Sequence, residues 1–294
     1  MIPTETQLET APQEMQQSKP KSAHYARAFA GLFMRDVYVL RRELFPFAVR
    51  VCMNPLLFLF VFTYIIPHIS MGNGAAAAAM NPTGAMAGGE FSTVLLPGLM
   101  AVAIMFSGIA AVALPLAQEF GITREIDDRV MCPLPVAAVA MEKVCFSAVQ
   151  SAIAAAIVYP MAYYVPTTHP TTHVSNWFFL ILVVVLASLT SGALGLTIGT
   201  SVEPKQIGLI FGVVVVPITF LGCVYYPWVA LGSIRWLQIG VLANPIVYMS
   251  EGLRAALTPS LPHMNPWLIL GMLTLSMCLL MWLGIRGFLR RVIG

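Results

Sequence analysis

Six stretches of this chain, residues 47–67, 93–117, 144–165, 177–200, 207–225 and 266–286, approach or exceed the apolar length that crosses a membrane as a helix and are expected to be spans. A span needs about 20 predominantly apolar residues, because inside hydrocarbon every backbone N–H and C=O must find its partner within the segment or a closed barrel. A soluble globule is excluded. Of the 294 residues 58% are hydrophobic and 10% charged, too few polar groups to clothe a water-facing surface. The expected fold class is an all-α integral membrane protein with six transmembrane helices.

Lysine and arginine orient those spans. With the amino terminus inside, Lys19, Lys21, Arg27, Arg35, Arg41, Arg42, Arg50, Arg124, Arg129, Lys143, Lys205, Arg286, Arg290 and Arg291 fall on the cytoplasmic side, 14 of the 16 basic residues, and only Arg235 and Arg254 fall outside. Basic residues are retained on the cytoplasmic side during insertion, so both termini are expected there. The net charge of +3 is accounted for by this anchoring and gives no reason to invoke nucleic acid.

Three units are expected: a disordered cytoplasmic tail over 1–21, an amphipathic helix over 22–46, and a six-span domain over 47–294. The tail is polar and without apolar periodicity, and it carries no cleavable signal pattern. From 22 to 45, Tyr25, Phe29, Leu32, Phe33, Val37, Leu40 and Leu44 recur at three- and four-residue intervals while arginines take the remaining surface. Such a helix either lies in the inner leaflet with its basic residues at anionic headgroups or packs on another protein domain. Pro46 marks its expected end. The alanine run at 75–79 amid glycines is too short to span and reads as a mobile loop.

The loop from Gln118 to Lys143 carries the densest charge of the chain. Glu119, Glu125, Asp127 and Asp128 stand beside Arg124 and Arg129, followed by Pro133 and Pro135. Either a short charged helix stopped by the prolines presents a rigid knob to a cytoplasmic partner, or the segment is a solvated loop. No nucleophile or metal-ligand set accompanies the acids, so no catalytic pair is indicated. Residues 201–206 form the other internal cytoplasmic link, which reads as a plain turn.

The stretch from 207 to 257 has a different pattern. An apolar run containing Pro217 breaks at Tyr225, Tyr226, Pro227 and Trp228, and a half-apolar segment, ANPIVYMSEGLRAAL, follows without a strongly polar interval. That is the pattern of a backbone that dips into the membrane and returns. Glu251 and Arg254 are the only charges of the second segment and stand three residues apart on one helical face. Two readings are open for them: an interfacial ion pair or a gate.

These features together resemble the type 2 ABC exporter permeases. The resemblance rests on the amphipathic helix, the six spans, the loop Arg124-Glu125-Ile126-Asp127-Asp128-Arg129 leading to Pro133-Leu134-Pro135, and the stretch from Pro217 through Tyr226-Pro227 and Asn244-Pro245 to Glu251-Gly252-Leu253-Arg254. It implies the membrane-spanning half of an ATP-driven exporter in a bacterial inner membrane, paired with itself or a relative, each copy bound to a separate ATP-binding subunit. Glu119, Arg124, Glu125, Asp127, Asp128 and Arg129 would then belong to the coupling helix that rests on the ATPase. Residues 22–45 would be the connecting helix. Tyr225, Tyr226, Pro227, Asn244, Pro245, Glu251 and Arg254 would belong to re-entrant helices at the outer mouth. No GxxxxGK[ST] phosphate loop occurs, so ATP and its magnesium are expected on the partner subunit and no cofactor in this chain. A homodimer is expected because the chain contains one permease half.

The spans contain almost no ionisable residues, which disfavours an ion-coupled carrier and suits an amphiphilic or lipid-like substrate: a drug, a lipid or a lipid-linked glycan. A channel or secondary carrier and a membrane-embedded lipid-modifying enzyme are the alternatives. Ser188, Gly192, Gly195 and Gly199 line one face of the fourth span and suit close helix approach, within the chain or across a dimer. The five cysteines form no CxxC and read as free thiols. His169 and His173 flank a proline with no other ligand nearby, a poor metal site.

Overall fold

The computed structural model describes residues 22–61, 88–123, 134–165 and 170–293. Among them the regular structure is helical: α1 (Ser22–Arg42), α2 (Leu44–Leu59), α3 (Gly88–Gln118), α4 (Val136–Tyr164), α5 (Trp177–Ser201), α6 (Ile207–Phe220), the short α7 (Arg235–Gly240), α8 (Pro245–Leu257) and α9 (Pro266–Ile293). Four of these, α3, α4, α5 and α9, are long and apolar enough to span a membrane. The expected tail over 1–21, the loop at 75–79 and the charged residues 124–129 lie outside the described residues.

The centre of the bundle is α3. Along its most apolar stretch 72% of the residues are buried, against 17% for α9, and it packs on α4, α5 and α8. α9 closes the far side against α5 and α8, while α1 and α2 lean on α4. The small residues of α5 determine how closely these helices approach. A Cβ on Gly195 would lie 2.9 Å from the Ile109 backbone of α3, and one on Gly192 would lie 2.1 Å from Ser147 of α4. The small-residue face is therefore an intramolecular contact, the packing that substitutes for a hydrophobic driving force inside lipid.

Several boundaries differ from expectation for physical reasons. The first helix does not run to Pro46. It breaks at Glu43, and Pro46 sits in the first turn of α2, where the N–H that proline lacks has no intrahelical partner. α3 extends to Gln118 and then widens into a π-turn over Glu119–Thr123, and α4 begins at Val136. Much of the charged loop is thus helix, and burial of Glu119 and Lys143 against each other accounts for the extension. Pro135 stands at the N-cap of α4, extended at φ −62° and ψ 137°. α2 and α6 are apolar but shorter than a span within the described residues. In α6 a π-segment, Phe211–Val215, precedes Pro217; the missing proline N–H leaves a carbonyl of the previous turn free, a common origin of such irregularity.

Candidate functional site: two charged ends of one bundle

At one end, the segment between α6 and α9 folds back on α8. A Cβ on Gly98 of α3 would fall 1.9 Å from Val224 O, so the turn after α6 lies directly against the central helix. Asn244 caps α8 by accepting from Ile246 N at 3.1 Å, donates to Ile218 O at 2.6 Å, and is followed by Pro245 at the first helical position. α8 is enclosed on every side: Ile246 to Leu257 are all buried, including Ser250, Glu251 and Arg254. Glu251 and Arg254 do pair, and both side chains have 0% exposure within the chain.

Their burial is tolerated because both carboxylate oxygens of Glu251 and both terminal nitrogens of Arg254 have polar partners. Glu251 forms an ion pair with Arg254 one turn on, accepts the backbone N–H of Trp228 at 2.9 Å, and accepts that of Met264 at 3.1 Å through its other oxygen. Arg254 donates to Cys223 O at 3.2 Å, and Ser250 donates to Gly222 O at 2.9 Å. Cys223 has φ 52°, the left-handed region that a residue with a Cβ enters at a cost of about 1–2 kcal/mol. One pair of charges therefore fastens three strands of backbone: the turn after α6, the loop at Pro227-Trp228 and the approach to α9. Beside this clasp, the rings of Phe58 of α2, Phe220 of α6 and Tyr225 cluster with centroids 5.2–6.3 Å apart. Tyr226 Oη lies 3.5 Å from Phe220 O.

The opposite end is built around Glu119 and Lys143. Gly98 and Glu119 are 21 residues apart on one helical rod, about 30 Å at 1.5 Å per residue. Lys143 Nζ of α4 donates to Glu119 Oε1 at 2.7 Å with both side chains 6% exposed. Glu119 thus faces inward. Next to it, Phe120 meets Phe288 of α9 edge-on at 6.0 Å and lies under the Arg291 guanidinium at 5.4 Å. Arg291 also donates to Val202 O at 2.7 Å, closing the carboxyl end of α5. The π-turn that leads to Arg124 is accordingly gripped by α4, α5 and α9 together.

The described residues thus form an enclosed central helix with a buried ion pair near each end, one inside α8 and one joining α3 to α4. A family model described as ABC-2 type transporter matches residues 27–258. The chain belongs to the ABC-2 type transporter family. Neither the curated proteins nor the solved structures give a match. The matched residues of this ABC-2 permease run from α1 to the end of α8 and leave α9 beyond them. It is a multi-pass membrane protein whose family provides the membrane domain of a transporter and normally works with an ATP-binding subunit.

The structure brings Tyr225, Tyr226, Pro227, Asn244, Pro245, Glu251 and Arg254 into one cap. Arg124, Glu125, Asp127, Asp128 and Arg129 lie outside the described residues. Sequence reasoning missed Trp228 and Met264 as partners of Glu251, because they contribute only backbone N–H groups. It also missed Lys143 as the partner of Glu119, 24 residues away. Among the described residues no group of three or more His, Cys, Asp or Glu is placed to hold a metal, and His173 donates its backbone N–H to Leu257 O at 3.0 Å.

Proposed function

We propose that this chain is the permease subunit of an ATP-driven exporter in a bacterial inner membrane, with both termini cytoplasmic. It pairs with a second copy and with two ATP-binding subunits, and carries an amphiphilic or lipid-like substrate. ATP and magnesium are bound in trans, and catalysis belongs to the partner. Six spans cross the membrane in this reading, α2 and α6 being the first and fifth, and 225–257 forms the re-entrant cap at the outer mouth.

The observation that carries the proposal is the continuity of α3 into its π-turn, from Gly88 to Thr123, directly before Arg124 in the sequence. A force applied to the charged loop by a closing ATPase is delivered straight to the central helix of the bundle, which packs on α4, α5 and α8, and to the elements that grip Phe120. The scarcity of charge in the spans supports an amphiphilic substrate over an ion.

The test is a pull-down from native membranes in mild detergent, with identification of stoichiometric partners and an ATPase assay. A co-purifying protein with a Walker motif is expected, and Glu125→Ala/Asp127→Ala/Asp128→Ala is expected to leave insertion intact while uncoupling hydrolysis from transport. A chain that purifies alone, or full transport by the triple variant, overturns the reading.

A further inference from the structure

A cavity of about 420 Å³ opens where α1 breaks into α2, walled on its other sides by α3 and α4. Its size lies within the roughly 300–1,000 Å³ of ordinary ligand pockets. Six charged side chains line it, and four are already matched: Arg35 with Asp36 at 3.3 Å, and Lys143 with Glu119 at 2.7 Å. The other two are Glu43 and Arg50, neither of which makes a hydrogen bond or ion pair among the described residues. Glu43 occupies the N-cap position of α2 and makes no side-chain hydrogen bond there. Seven residues separate the two, which places them two turns apart on one face, about 10 Å along the axis.

We infer that this cavity holds the headgroup of an aminophospholipid, its phosphate at Arg50 and its ammonium at Glu43. The ligand must carry both charges, since an anion alone leaves Glu43 unmatched and a cation alone leaves Arg50 unmatched. A primary ammonium donates hydrogen bonds to a carboxylate and a quaternary one cannot. Arg50 offers the planar fork that suits phosphate oxygens. The order in depth also fits. α2 heads into the membrane from Glu43, so Arg50 stands deeper, as the phosphate of a lipid stands deeper than its amine. Leu40, Phe47 and Phe146 supply apolar wall for the glycerol side. The inference rests on α2 being the start of a span, and the lipid would brace the joint between α1 and α2 against α4.

The experiment measures lipid retention without ATP or transport, so that its failure leaves the exporter reading standing. The full chain with its co-purifying partners is stripped of lipid in detergent and titrated with short-chain phosphatidylethanolamine, phosphatidylcholine, phosphatidylglycerol and inorganic phosphate, with binding read by native mass spectrometry. Phosphatidylethanolamine is expected to bind about tenfold tighter than the other three, the worth of one charge-assisted contact. Arg50→Gln is expected to weaken both the ethanolamine and the glycerol lipid. Glu43→Gln is expected to weaken only the former, and Arg235→Gln, an exposed arginine outside the cavity lining, to change neither. Both test positions are exposed, so the fold is expected to survive. The exchange Glu43→Arg/Arg50→Glu is expected not to restore binding, because it inverts the charge order in depth. Equal retention of the two lipids, competition by inorganic phosphate alone, indifference to both substitutions, or rescue by the exchange would each overturn the inference.

Discussion

Among the described residues of this permease, two buried ion pairs look alike in composition and differ in what they hold. Glu251 and Arg254 lie one turn apart on the same helix, so their mutual contact adds nothing to tertiary structure. What matters is the backbone they collect, at Cys223, Trp228 and Met264. Glu119 and Lys143 lie on different helices, 24 residues apart, and their contact is itself the tertiary link between α3 and α4. The first pair is sealed, and the second borders a cavity of about 420 Å³. A sealed charge has no alternative partner when its contact breaks, whereas one beside a cavity can be rehydrated. On this contrast the cap is expected to hold together as a unit and the opposite end to rearrange.

The largest effect that tests this contrast is expected from Arg254→Ala. Removing one member of a sealed pair leaves an uncompensated charge and costs about 3–5 kcal/mol, enough to abolish the folded protein in detergent. Thermal unfolding followed by size-exclusion chromatography reads it. Glu251→Ala is expected to do the same, and the double variant to cost less than the sum, because it leaves no orphan charge. If Arg254→Ala unfolds within a few degrees of the natural protein, the clasp is not what holds the cap.

Gly98→Ala comes next. Its Cβ would meet Val224 O at 1.9 Å, a backbone atom that cannot swing aside, so α3 and the turn after α6 must separate. Overpacking of this kind costs about 1–3 kcal/mol. Because the strain falls where the cap meets the rod, transport is expected to fall more than stability does. Vesicle uptake and thermal unfolding of one preparation check both. Equal losses would mean that the contact serves folding alone.

How much of this was legible beforehand follows from which forces leave a linear trace. α3, α4, α5 and α9 were readable because crossing a membrane demands length and apolarity together, and α1 because its apolar residues recur at helical spacing. The break at Glu43 was misplaced to Pro46 because a proline was taken to end a helix where it instead begins one. Spacing showed that Glu251 and Arg254 are able to pair but carried no information on depth. An N–H is present in almost every residue, so nothing singled out Trp228 or Met264. The charged residues Glu142 and Lys143 were assigned to a loop, yet they lie buried in α4, and the partner that makes this tolerable for Lys143 comes from another helix.

The opposite end should yield a smaller loss of stability with a larger loss of coupling. Lys143→Ala leaves Glu119 at the edge of the cavity, where water reaches it, so the cost is expected near 1–2 kcal/mol, below that of the sealed pair. The loss to watch is between ATP hydrolysis and transport, because Glu119 sits at the base of the segment leading to Arg124. Hydrolysis continuing at the normal rate with transport reduced several-fold is the expected signature. A fall in stability equal to that of Arg254→Ala would erase the distinction between the two ends.

The smallest effect is expected at Gly31, and its value lies in its sign. A Cβ there meets nothing within 4 Å, in direct opposition to Gly98. Alanine in a helix interior is favoured over glycine by about 0.5–1 kcal/mol, because less backbone freedom is lost on folding. Gly31→Ala is therefore expected to stabilise α1 slightly, measurable as added protection in amide hydrogen exchange. If α1 acts as a stiff lever against α4, transport is unchanged or rises. If instead α1 must bend at Gly31 during the cycle, the same substitution slows transport while stability increases, and the movable part of this end then lies within α1 rather than at the Glu43 joint.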